Sequence, residues 1–413
     1  MKHMFSKTVL ACFTLLAVLP AQNVPTARVV QWTALPPAFY KAGEENFNAA
    51  ALSTDGRRAV FFQASFVKNA EGRAWDARSG RVTGFWKSGE LAAGKTIWHR
   101  SGGMLRLSAD GSTACFPVFP GNAAGQSGDP WSAAVAVDRT TGPSVAKLFD
   151  LKAFLIKQNS DIDGARGVTS LDMNADGTVI YAVVPFHQKK DSDYQRSYPV
   201  RQAIIEINSR TNGMLLHSVV SQGEQYFPFL NLTTNDSGRS FAFKGAGAGG
   251  KGLEAYVFTA DWTAQRGFYA APLGRFSGVN TNEGRGGPVL MRKGDGPWLF
   301  AYPAERGPVC AYSWKSKSTL KFGADKGAPF LPQYADSRFA SGDGDHVFYQ
   351  ASGFFVWYPL QDKPYRLAPP KGTGRLEVPS FNNSFMSEDG SSVLLLESSG
   401  NIKRYILARL AAP

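Results

Sequence analysis

The chain has 413 residues, 43 of them glycine and 24 proline, with aromatic residues at 13% and short Val/Ile/Phe/Tyr runs between turn residues, a composition that suits an all-β protein. Lysine and arginine total 45 against 33 aspartates and glutamates, a formal charge of +12, yet no basic run is longer than two residues. Scattered charge of this kind argues against a nucleic-acid partner and for a solvated surface; outside the cytoplasm it suits anionic envelope polymers, lipid head groups or acidic proteins.

Lys2, His3 and Lys7 introduce the apolar run 8–21, which ends on Ala21. A basic start, a short apolar stretch and a small final residue read as a secretory signal peptide, residues 1–21. Fourteen residues fall short of the ~20 that span a bilayer as a helix. Cys12 lies inside the run rather than after it, which argues against a lipoprotein signal. With no transmembrane segment after signal cleavage, the mature chain, residues 22–413, is expected to be exported, periplasmic or extracellular, and to form one repeat domain. Its two cysteines, Cys115 and Cys310, sit in apolar strand-like contexts and read as buried free thiols in separate repeats.

From residue 51 onward one pattern recurs: apolar residues, often a Ser or Thr, any residue, Asp-Gly, then a β-rich run. The copies are Leu52-Ser-Thr-Asp55-Gly56, Leu107-Ser-Ala-Asp110-Gly111, Met173-Asn-Ala-Asp176-Gly177, Thr234-Asn-Asp236-Ser237, Lys293-Gly-Asp295-Gly296, Ser341-Gly-Asp343-Gly344 and Ser387-Glu-Asp389-Gly390. Asp-Gly supplies the positive-φ turn of a tight hairpin, and a hydroxyl two residues earlier bonds the turn's backbone. The fourth and fifth copies are the least regular. A second strand pair follows each hairpin, as at 73–77 with 81–86, 133–138 with 144–149, and 202–207 with 213–219. Four antiparallel strands repeated seven times predict a single seven-bladed β-propeller. The last copy offers three strands, at 384–386, 393–397 and 402–407, while 28–34 is a strand without a hairpin partner. We expect that N-terminal strand to complete the last blade and close the ring; a free N-terminal arm is the alternative.

The Ser-x-Asp-Gly hairpins, with Asp-x-x-Ser/Thr-Gly turns at 76–80 and 138–142, resemble the bacterial WD-like β-propeller superfamily of the TolB, YVTN and quinoprotein-dehydrogenase type. The resemblance spans essentially the whole mature chain and implies the propeller fold. It implies no single activity, because such relatives include protein-binding scaffolds, lactonases and cofactor-dependent dehydrogenases.

Loop length is unequal. It accumulates between second and third strands, at 120–131, 186–200 and 245–252, and between blades, at 87–103, 151–168, 221–227 and 274–288. Both classes leave a propeller at the same rim, and function sits on loops carried by a rigid scaffold. The segment 186–200 is the richest, offering His187, Lys189, Lys190, Tyr194, Arg196 and Tyr198 as candidate binding residues, with Trp98 and Trp131 as secondary ones. The opposing expectation is a mobile solvated loop for the first group and packed core for the tryptophans.

Catalytic signals are sparse. The mature chain has His99, His187, His217 and His346, no Cys-x-x-Cys, no His-x-x-x-His and no Gly-x-Ser-x-Gly elbow, so the sequence names no catalytic residue, which lowers the enzyme reading without removing it, and no transition-metal site is expected. The glycine-rich stretch 245–252 lacks a Ser or Thr after Lys251 and makes a poor phosphate cradle. Two spacings resemble the start of a calcium loop, Asp172-Met-Asn174-Ala-Asp176 and Asn159-Ser-Asp161-Ile-Asp163, but neither has the closing glutamate, so calcium is a weak expectation and no other cofactor is expected. The expected function is a non-catalytic binding or assembly module of the bacterial cell envelope, contacting an envelope protein or an anionic glycan through its long-loop face. The alternative is a propeller enzyme, a lactonase-like hydrolase or quinoprotein-like oxidoreductase, with its site at the central channel.

Overall fold

The computed structural model describes residues 26–27, 29–36, 47–63, 71–87, 92–93, 96–100, 104–121, 133–143, 145–197, 201–221, 231–234, 240–246, 253–259, 270–275, 289–291, 298–301, 309–313, 318–322, 346–350, 354–358, 363–377, 386–387, 389–399 and 402–411. Among them the strands pair into seven mostly antiparallel sheets, most of four strands, with two short helices. Sheet 1 is the simplest, a meander of Phe47–Leu52, Arg58–Gln63, Glu71–Asp76 and Val82–Lys87. Sheets 2 and 3 are centred on Thr113–Gly121 and Val179–Gln188, sheets 4 and 5 on Ser240–Ala246 and Trp298–Ala301, and sheets 6 and 7 on Phe354–Tyr358 and Ser392–Ser399. No sheet among the described residues closes on itself.

The Asp-Gly turns behave as their chemistry requires. Ser53 Oγ donates to Asp55 Oδ1 (2.9 Å) and accepts from Arg58 N (2.9 Å), while Asp55 Oδ1 also accepts from Arg57 N (3.0 Å). Ser108 with Asp110 and Ser387 with Asp389 repeat this arrangement. In sheet 3 Asn174 replaces the serine, its Oδ1 accepting from Val179 N (2.8 Å). The turn amides also link one sheet to the next. Asp389 N donates to Thr54 O (3.2 Å), Thr54 N to Ala109 O (2.8 Å) and Ala109 N to Ala175 O (2.7 Å).

Alternation along each strand sends apolar side chains to both faces, so a sheet packs between two neighbours. In Arg58–Gln63, Phe61 packs toward sheet 7, its ring 5.7 Å from Tyr405, while Phe62 packs toward sheet 2, 4.7 Å from Phe116. One core cluster joins sheets 6, 7 and 1, a second joins 1 and 2, and a third joins 2 and 3. Each fully buried Phe, Leu or Ile contributes about 1.5–3 kcal/mol, and Cys115 is one of the buried residues of this interior. Cys310 lies in Val309–Ser313, where only the backbone is described.

The N-terminal strand has two parts. Val29–Ala34 pairs antiparallel with Ile402–Leu410 as the outermost strand of sheet 7. Thr26–Ala27 pairs parallel with Lys363–Leu367 at the edge of sheet 6, a link not expected from the sequence. The described parts of the expected loops are also more structured than the sequence suggested. Segment 87–103 contains paired strands at Ala92–Ala93 and Thr96–Arg100, the latter bonded to the end of Thr113–Gly121. Segment 151–168 contains helix α1, Leu151–Gln158, and the strand Ile162–Ala165. Strand Val179–Gln188 runs through His187, because Ile162–Ala165 pairs with its end and removes 186–188 from the loop.

Candidate binding site

At the loop end of sheet 3, α1, Ile162–Ala165, the end of Val179–Gln188 and helix α2, Asp193–Ser197, come together. Asp150 caps α1, accepting from Ala153 N (2.9 Å), and Leu151 and Leu155, one turn apart, bury its inner face. A reciprocal cap starts α2: Ser192 N donates to Gln195 Oε1 (3.1 Å) and Gln195 N to Ser192 Oγ (3.3 Å). These local signals explain why short helices form within what reads as loop.

Charge pairs then fix the loop. The Asp191 carboxylate, side chain 3% exposed, accepts from Gln188 N (2.7 Å) and from Arg201 Nη1 at both oxygens (2.8 and 2.6 Å). Arg196 bonds Asp163 through Nη1, Lys189 O through Nη2 (2.8 Å) and Asp191 O through Nε (3.3 Å). Arg166 Nη1 donates to Ser197 O (2.7 Å) at the end of α2. A half-buried guanidinium holding carboxylate and carbonyl oxygens together is a strong, directional tether.

His187 turns inward. It is buried, its Nδ1 is 3.9 Å from Asp163 Oδ2, and its ring packs so closely on Gly164 that a methyl group there would overlap it. Burial first, then the Arg196 charge, pushes its pKa below the ordinary imidazole value; Asp163 and Asp191 pull against this, and Lys152 adds to the lowering. The ring is therefore neutral near pH 7.

The expected binding residues thus separate. Lys189, Lys190 and Tyr194 are exposed, Tyr194 at 55%. Arg196 is committed to Asp163 and two carbonyls, and His187 belongs to the interior. Trp98 is placed by its backbone alone, opposite Pro120, while Tyr198 and Trp131 lie outside the described residues, as does 247–252 of the glycine-rich stretch. Asp163, Asp191, Arg166 and Arg201 build the site; the sequence pointed to Asp163 only through a calcium-like spacing and to Asp191 only as part of segment 186–200, and it did not single out Arg166 or Arg201. The Ser192-x-x-Gln195 box was the signal that could have located α2.

The calcium-like spacings are occupied by protein donors. Asp172 accepts from Thr234 N (2.8 Å) and Thr233 Oγ1 (3.2 Å) and lies 3.4 Å from Arg106 Nε; Asp176 accepts from Thr178 N (3.0 Å). In the second spacing, Asp163 pairs with Arg196 and Asn159 Oδ1 accepts from Asp161 N (2.9 Å). Among the described residues no group of three or more His, Cys, Asp or Glu is placed to hold a metal ion, and no helix is long and apolar enough to cross a membrane.

No family model matches the chain, and no curated protein matches it in sequence. Solved structures do match in shape. An oligogalacturonate lyase in complex with manganese superposes with a TM-score of 0.50 at 12% identity, covering 94% of this chain and 97% of the other. An oligogalacturonate lyase from Vibrio parahaemolyticus gives 0.50 at 10% identity, covering 93% and 95%. Both are β-propellers. The fold is propeller-like. Identity this low extends the likeness to architecture and no further.

Proposed function

We propose that the chain is an exported seven-bladed β-propeller that acts as a non-catalytic binding module of the bacterial envelope, contacting a protein or anionic-glycan partner through the loop end of sheet 3. Support for the ring comes from the seven sheets, from cores that run without a break from sheet 6 through 7 and 1 to sheet 3, and from the N-terminal strand on the edge of sheet 7. One observation carries the binding reading. Arg196 and Arg201 lock 188–197 into a fixed shape that leaves Lys189, Lys190 and Tyr194 exposed, while the segment's histidine is turned inward and neutral. A pre-ordered loop loses little entropy on binding, and an aromatic ring flanked by cations suits an acidic surface. In-cell crosslinking and pull-down of the mature protein tests this. One stoichiometric partner should be recovered, and lost with Lys189→Ala/Lys190→Ala/Tyr194→Ala. Undiminished recovery with the triple variant would remove the site from this loop, and an empty pull-down would remove the reading.

A further inference from the structure

The opposite ends of the sheets are built on a different plan. There the second-pair turns of sheets 1, 2 and 3, though of different lengths, each bond back to the Asp-Gly turn beside them: Ala77 N to Arg57 O (2.8 Å), Thr140 N to Ser112 O (2.9 Å) and Ser209 N to Thr178 O (2.8 Å); in sheet 7 the strand residue Leu410 makes the corresponding bond to Ser391 O (2.7 Å). These turns lie side by side on one surface. It is also continuous across sheets 1 to 3, because Thr83 Oγ1 donates to Thr140 O (2.9 Å) and Lys147 Nζ to Ser209 O (2.6 Å).

Both signs of charge reach this surface, with Asp110, Asp176 and Asp389 exposed at their Asp-Gly turns. The carboxylates serve the turns: Asp76 accepts from Arg78 N (3.0 Å) and Ser79 N (2.9 Å), and buried Asp138 from Arg139 N (2.7 Å) and Val145 N (2.9 Å). Arg78, Arg81 and Arg139 are exposed and form no ion pair among the described residues. Arg57 and Arg210 are exposed as well, each held loosely by a turn aspartate at 3.4 and 3.8 Å. In the same turn as Arg139, Val145 leaves 53% of its surface open, one of few large apolar side chains so exposed among the described residues.

We propose that this turn face docks on a bilayer rich in acidic phospholipid, with the arginines on headgroup phosphates and Val145 at the headgroup–acyl boundary. Guanidinium groups pair with phosphate through two parallel hydrogen bonds, and cations near an anionic leaflet attract it additively. An exposed aliphatic side chain among arginines gains from an acyl boundary and nothing from a soluble polyanion. The proposal is independent of the partner site at the other end of sheet 3, which would then face away from the membrane.

Flotation of the mature protein with phosphatidylglycerol–phosphatidylcholine vesicles, against phosphatidylcholine alone, tests it. Binding is expected only to the acidic vesicles. Arg78→Gln/Arg81→Gln/Arg139→Gln should lower it about 100-fold, roughly fivefold per cation, with an unchanged unfolding midpoint because these side chains are exposed. Lys189→Gln/Lys190→Gln, at the other end of the sheet, should leave it unchanged. In a Val145→Trp variant the new indole should shift its emission to the blue on acidic vesicles and not with soluble polyglutamate. Equal binding to both vesicle types, full binding by the triple arginine variant, an equal loss in the lysine variant, or the same indole shift with polyglutamate would each overturn the proposal.

Discussion

Ser108 uses one oxygen twice, donating to Asp110 and accepting from Thr113 N, at a position only 1% exposed. Ser108→Ala leaves that amide without its partner, and the expected cost is about 1–3 kcal/mol by urea unfolding. Glycine supplies a sharper comparison. Gly111 and Gly142 both hold positive φ, +69° and +89°, but a methyl at Gly142 meets open space, whereas at Gly111 it meets Arg58 Cβ at 3.0 Å and Ser53 Cβ at 3.1 Å. Gly142→Ala should cost only the backbone term of about 1–2 kcal/mol, and Gly111→Ala measurably more. His187 sets a pH dependence. The folded protein binds its proton less readily than the unfolded chain, so this stability is complete above pH 6.5 and falls as pH drops through 6.5 toward the folded value. Lowered carboxyl pKa values at Asp76, Asp110 and Asp176 act in a more acidic window, starting near their ordinary 3.8. For Asp76 the leading cause is the amide of Ser79; for Asp110 burial acts upward, but the bonds from Ser108 and Ser112 outweigh it. Urea midpoints measured from about pH 7.5 to pH 5.5 should fall in the native sequence and flatten in His187→Gln.

At the level of elements, legibility followed how local the cause is. The Asp-Gly hairpins were readable because Ser53 or Ser108 reaches its own turn, and the free strand before residue 35 was readable because sheet 7 was one strand short. What stayed hidden was set from a distance. His187 looked like a loop residue until Ile162–Ala165 came to pair beside it. Arg196 looked available until Asp163, 33 residues earlier, took its charge. The two helices were hidden for another reason: both are short, and their caps at Asp150 and Ser192 were overlooked beside the stronger strand pattern. The tether makes its own prediction. Asp191→Ala strands the Arg201 guanidinium, and removing one partner of a buried pair costs about 3–5 kcal/mol. That loss should be local, so amides 188–197 should exchange hydrogen faster while those of 201–208 keep their protection.

At the level of the whole molecule, the N-terminal strand is the joint on which the proposed ring depends. Leu35 is 3% exposed and packs with Leu394, Leu407 and Phe61 in the cluster that unites sheets 6, 7 and 1. Deleting residues 22–36 should therefore lower global stability by about 3 kcal/mol or more, and a peptide of the same residues added in trans should restore part of the lost melting temperature. The pairing of Val29 with Leu410 also has a meaning in time. Val29–Ala34 leaves the ribosome long before its partner, Ile402–Leu410, has been made. Until then Trp32 and its neighbours wait unpaired, and a contact this distant in sequence forms slowly. The export proposed above would gain from that delay: the proposed ring would not close before the chain had been threaded through.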